Sequence, residues 1–81
     1  LLKGEIDVAA HTSTVVNSEP VGLYGLNGAS ITDSASKITV GAKSFGFILE
    51  NETTATTNQY TSTGAGTVSL GNDSVFLYSS G

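Results

Sequence analysis

The chain has 81 residues and a formal net charge of −4, and it contains no Cys, Met, Trp or Arg. That length bounds it to one domain or part of one. The absence of Cys removes disulfide frameworks and thiolate metal sites, three scattered lysines cannot track a phosphate backbone, so no nucleic-acid partner is expected, and no apolar run approaches the roughly 18 residues of a membrane-spanning helix.

Ser, Thr, Asn and Gly supply 37 of the 81 residues, a composition that suits short strands and turns and disfavours helix. Taken alone it also resembles a linker, but apolar residues recur too regularly for that. The first such group is Ile6, Asp7, Val8 and Ala9. A fuller phrase follows at residues 14–25 (TVVNSEPVGLYG) and returns at residues 38–49 (ITVGAKSFGFIL) and residues 68–79 (VSLGNDSVFLYS). Each copy runs from a strand-forming triplet into Asn17, Gly41 or Gly71, turns a short polar corner, and becomes apolar again at Val21, Phe45 or Val75. Because Ile6, Asp7 and Val8 read like Ile38, Thr39 and Val40, the first triplet starts either at Ile6 or at Thr14. Apolar identity favours Ile6 and spacing favours Thr14.

Side chains alternate within the copies, with Ile38 and Val40 on one face and Thr39 on the other, as in strands with one buried face. Repeats of this length signify stacked supersecondary units. The fold expected is therefore all-β, a parallel β-helix (β-solenoid) of about three coils forming a single segment over residues 1–81. Stacking should place Val16, Val40 and Leu70 in one internal column and Val21, Phe45 and Val75 in another, with Tyr24, Ile48 and Tyr78 aligned as well. Phe76 stands where the previous copy has Gly46, so alternation points it outward. The start at Leu1 and the Ser79-Ser80-Gly81 tail lead us to expect a piece of a longer chain, whose exposed strand edges invite end-to-end association.

Between the phrases, Asn27-Gly28 suits a turn requiring positive φ, and a short strand is expected around Ile31. Residues 50–58 (ENETTATTN) read as a protruding loop inserted in a coil. Loops of this kind carry binding residues, which makes Glu50, Asn51, Glu52, Asn58 and, just beyond, Tyr60 the candidate binding set. No catalytic, cofactor or metal residues are assigned. His11 has Ser13 and Asp7 nearby but no nucleophile elbow, and among 11 serines such a neighbour is expected by chance. The remaining aromatic residues sit where a stacked core wants them.

The stretches VGLYGLNGASITDSASKITVGAKSFGFIL and VSLGNDSVFLY resemble the passenger repeats of bacterial type V autotransporters, particularly the large fusobacterial surface proteins. The match is good over residues 21–49, fair over residues 67–79, and poor over residues 1–13 and 50–62. What the resemblance implies is a right-handed parallel β-helix displayed on the surface of a Gram-negative bacterium, outside the membrane itself. It would be a structural or adhesive segment whose partners are a host or bacterial surface protein or glycan. Two other functions suit the same residues: a segment of a β-helical polysaccharide hydrolase or lyase, and a carbohydrate-binding β-sandwich module. The last requires Ile38, Thr39 and Val40 to pair antiparallel with Phe45, Gly46 and Phe47.

Overall fold

A computed structural model of the chain describes residues 1–53, 56–64 and 66–80. Among them there are seven strands and no helix: β1 (Leu2–Val8), β2 (Val21–Leu26), β3 (Ser30–Val40), β4 (Phe45–Glu50), β5 (Gln59–Ser62), β6 (Thr67–Leu70) and β7 (Val75–Ser80). Every pairing between them is parallel. In one sheet β3 is central, with β1 on one side and both β5 and β6 on the other; the second sheet runs β2-β4-β7.

The chain therefore visits the two sheets alternately and lays down three tiers: β1 with β2, β3 with β4, and β5 and β6 with β7. The shortest extent of the molecule is 14 Å, enough for the two spacings of about 4.8 Å that separate the outermost of three strands. Corner residues carry the ladder from one sheet to the other. The Gly41 and Gly71 N–H groups donate to Val8 and Val40 carbonyls, and the Phe45 and Val75 N–H groups to those of Pro20 and Ser44. The buried Ser44 hydroxyl donates to the Ala9 carbonyl at 2.6 Å, tying two tiers together where both chains turn.

In the register, Ile6, Ile38 and Val68 align, as do Val8, Val40 and Leu70. The first triplet thus starts at Ile6, and the internal column expected to begin with Val16 begins with Val8. Val16 is 80% exposed, and Thr14, Val15 and Val16 belong to no strand. A local turn holds them out: Ser13 accepts from the Val15 N–H, Ser18 donates to the Val15 carbonyl, and Asn17 adopts a φ of 60°. Such short-range bonds satisfy the backbone without a ladder. The other two columns align in register, with Val21, Phe45 and Val75 in one and Tyr24, Ile48 and Tyr78 in the other, but neither is internal: Val21, Tyr24 and Tyr78 are 38%, 50% and 47% exposed, and the buried residues of β4 are Gly46, Phe47 and Leu49.

The strand expected around Ile31 also forms, but it is continuous with the next triplet, giving the 11-residue β3. Its two ends pair with different strands of the third tier, β5 at Ser30 to Asp33 and β6 at Lys37 to Val40. Ser79 and Ser80 are part of β7; Gly81 lies outside the described residues.

Val8, Ile31, Ala35, Ile38, Val40, Phe47 and Leu49 form the core between the sheets. Strict alternation breaks in β4, where Gly46 and Phe47 are both buried. Gly46 has to be glycine: a Cβ there would lie 2.6 Å from the Phe76 carbonyl oxygen and 3.2 Å from Val40. The same break corrects the outward placement of Phe76. Its ring packs into the core, edge-on to Phe47 with centroids 5.7 Å apart and to Tyr60 at 5.8 Å.

Candidate functional site

The candidate binding residues fall in two places. Glu50, Asn51, Glu52 and Asn58 gather at the corner after β4, beside the Asn27-Gly28 turn that ends β2. Tyr60 lies on β5, in the core. Thr54 and Ala55, the middle of the expected loop, lie outside the described residues.

At the corner, polar side chains bind the loop to the tier beneath it. The Asn27 amide donates to Glu52 Oε1 at 3.1 Å, and its oxygen accepts from the Glu52 N–H at 2.8 Å. The Asn58 oxygen accepts from the Gly28 and Ala29 N–H groups, at 2.9 and 2.8 Å, and its amide donates to the Glu50 carbonyl. Asn51 donates to the Thr56 carbonyl and accepts from the Thr56 hydroxyl. Asn27 and Gly28 both have positive φ, 54° and 88°, which asparagine and glycine adopt at least cost. The turn anticipated from those two residues is thus the base to which the loop is fastened.

The Tyr24 hydroxyl donates to Glu50 Oε2 at 2.6 Å. That bond holds the phenol proton and raises the Tyr24 pKa, assisted by partial desolvation and by the charges of Glu50 and Glu52. The outer face of this corner presents carboxylates, amides and a phenol ring, chemistry suited to hydrogen bonding with a polar ligand. Among the described residues no group of three or more His, Cys, Asp or Glu is placed to hold a metal ion.

Tyr60 belongs to a buried network that sequence reasoning missed. Its hydroxyl donates to Asp33, which is 1% exposed and also accepts from the Ala35 N–H and the Ser62 hydroxyl. Burial by itself pushes the Asp33 carboxyl up, but the three donated hydrogen bonds outweigh it and hold the group below the ordinary carboxylate value. Tyr60 shifts upward to about 12, through burial first and then through its bond to Asp33. Nothing in a Ser/Thr-rich stretch distinguishes Asp33 beforehand from a solvated turn residue. The available signal was its position two residues after Ile31, on the same strand face.

A second surface feature lies at the opposite corner. His11, Asn17, Glu19, Lys43, Phe45 and Asp73 line an open groove of about 470 Å³. His11 is placed there by its N–H, which donates to the Ala42 carbonyl; neither Ser13 nor Asp7 lines the groove. Three of the lining residues, Asn17, Lys43 and Asp73, share a φ near 60° and mark the turn in successive tiers. The groove runs across all three tiers and collects one Lys, one His and two carboxylates on a partly aromatic floor.

Searches against family models, curated proteins and solved structures return no match to this chain.

Proposed function

We propose that the chain is a three-coil section of a right-handed parallel β-helix that serves as a structural and adhesive segment of a bacterial cell-surface autotransporter passenger. Its two rows of corners hold side chains out for contact with host cells or other bacteria. The observation that supports the coil is the order in which strands join the sheets: each circuit adds one parallel tier to both. Crossovers between parallel strands of one sheet are right-handed in about 98% of cases, which supports the right hand for the coil. The adhesive role draws on the resemblance of residues 21–49 to passenger repeats and on the pinned corner around Asn27, Glu50 and Asn58. Pinning reduces the ordering cost of binding.

Parallel pairing counts against the β-sandwich module. Ile38, Thr39 and Val40 pair with β1 and β6, and Phe45 to Glu50 with β2 and β7. One observation favours a second reading, the polysaccharide hydrolase or lyase segment: Glu19 and Asp73 line one groove with Lys43 and His11.

Beads coated with the chain and incubated with epithelial cells and with Gram-negative bacteria test adhesion. Binding above albumin-coated beads, reduced by the double substitution Asn27→Ala and Asn58→Ala, is the expected result; no binding to either cell type overturns the adhesive role. The second reading is tested by incubating the chain with neutral and acidic polysaccharides and measuring new reducing ends, with Glu19→Gln as the control.

A further inference from the structure

Asn27 and Gly28 are the one Asn-Gly pair of the chain; the other four asparagines precede Ser18, Glu52, Gln59 and Asp73. That pairing is chemically reactive. A glycine has no Cβ to crowd its backbone nitrogen, so the Gly28 nitrogen can approach the side-chain carbonyl carbon of Asn27 more easily than any other nitrogen of the chain can approach the asparagine before it. In this fold both reacting groups are tied up by the segment that follows β4. The Asn27 amide donates to Glu52 Oε1 at 3.1 Å, and its oxygen accepts from the Glu52 N–H at 2.8 Å. The Gly28 N–H donates to Asn58 Oδ1 at 2.9 Å, an oxygen it shares with the Ala29 N–H.

We propose that Asn27 is a spontaneous deamidation site that Glu52 and Asn58 keep unreactive, so that opening of this corner is converted into a permanent chemical change. The inference is independent of the adhesive role. The Gly28 nitrogen gives up its proton to solvent and attacks Asn27 Cγ; the N–Cγ bond forms, the Cγ–Nδ2 bond breaks, and ammonia leaves with a proton taken back from solvent. The cyclic imide then takes up one water, which opens it at either carbonyl to give aspartate or isoaspartate at position 27. Attack requires the Asn27 side chain to swing back over its own peptide bond and the Gly28 N–H to leave Asn58. Both movements break bonds to the loop. The reaction therefore runs only in the locally open state, and its rate follows the population of that state.

Either product keeps the corner from closing as before. Isoaspartate carries the main chain through its Cβ, which lengthens the turn by one atom and displaces the Gly28 and Ala29 donors from Asn58. Aspartate sets a carboxylate against that of Glu52, where an amide had donated, and the like charges repel. Because ammonia is lost, the change does not reverse when the loop closes.

Timed incubation of the chain at neutral pH, followed by peptide mass mapping, measures conversion at Asn27, and labelling by isoaspartyl methyltransferase identifies the isoaspartate. The chain unfolded in urea gives the unprotected rate. Folded Asn58→Ala should react at least about tenfold faster than the folded parent, because it lacks three hydrogen bonds that each contribute a factor of roughly two or more. A folded parent that reacts at the unfolded rate, or a folded Asn58→Ala that reacts no faster than the parent, overturns the proposal. Circular dichroism establishes folding. Should Asn58→Ala lose its strand signal, Glu52→Ala replaces it, a change at an exposed position that frees the Asn27 amide; conversion of that folded variant at the parent rate overturns the proposal. Hydrogen exchange on the isolated isoaspartyl product tests permanence: Gly28 and Ala29 should have lost their protection, and protection equal to that of the parent overturns the lasting release.

Discussion

The Tyr60 hydroxyl, on β5, donates a hydrogen bond to the carboxylate of Asp33, on β3, and the acceptor side chain is almost wholly removed from solvent. The tyrosine ring lies 4.6 Å from that of Phe47, centroid to centroid. One residue thus closes the apolar core and satisfies a buried charge. Tyr60→Phe should retain the ring packing and lose the bond, costing roughly 1.5–3 kcal/mol because the acceptor is ionised. Urea unfolding followed by circular dichroism measures it, and a change within 0.3 kcal/mol (about the scatter of such comparisons) would show that the bond contributes little.

The same pair should make stability depend on pH at both extremes. Tyr60 holds its proton more tightly when folded, so its contribution is complete below the ordinary value of 10.0 and is lost as pH rises towards about 12. Asp33 has the opposite sign: its folded value is lowered, so its contribution is present above the ordinary 3.8 and is lost as pH falls through the folded value. Denaturant midpoints measured across pH should fall at both limits, with the alkaline fall flattened in Tyr60→Phe.

Asn58 fastens the loop through three hydrogen bonds, two accepted from the Gly28 and Ala29 N–H groups and one donated to the Glu50 carbonyl. Asn58→Ala should release both amides. Hydrogen exchange at Gly28 and Ala29 is expected to accelerate at least tenfold, while amides in the centre of β4 keep their protection.

Lys43 occupies a left-handed turn with φ at 59°, in the tier between Asn17 and Asp73. A lysine side chain gains nothing locally from that conformation, whereas asparagine tolerates it. Lys43→Asn should stabilise the fold by about 0.5–1 kcal/mol, read as a raised melting temperature.

Gly46 admits no side chain, because the Phe76 backbone oxygen lies where a Cβ would need to be. Gly46→Val should cost about 3 kcal/mol or more by overpacking the contact between β4 and β7, and near-ultraviolet dichroism of the Phe47, Tyr60 and Phe76 cluster should weaken with it.

Much of the second sheet was legible in the amino-acid sequence. Val21, Phe45 and Val75 each follow a polar corner and begin an alternating apolar run, and they align in the structure. The corner residues of the candidate site were legible too, since Asn27-Gly28 carries a turn signal and residues 50–58 interrupt the repeat. Their bonds to one another were not, because an asparagine that pins a loop and one that is solvated have the same local pattern.

Local alternation and turn chemistry determined that the chain would form short strands with one apolar face, cornered by Asn, Gly and small polar residues. Tertiary pairing decided the rest. Thr14, Val15 and Val16 have as much strand propensity as Ile6, Asp7 and Val8, yet only the latter lie where β3 can pair with them, while Ser13 and Ser18 turn the former out to solvent. Phe76 faces the core because Gly46 leaves room for it, and Asp33 stays charged in the interior because Tyr60 and Ser62 arrive from a strand 27 and 29 residues away. Alternation is a property of neighbours along the chain, whereas register, cavity shape and the satisfaction of a buried charge depend on residues that only folding brings together.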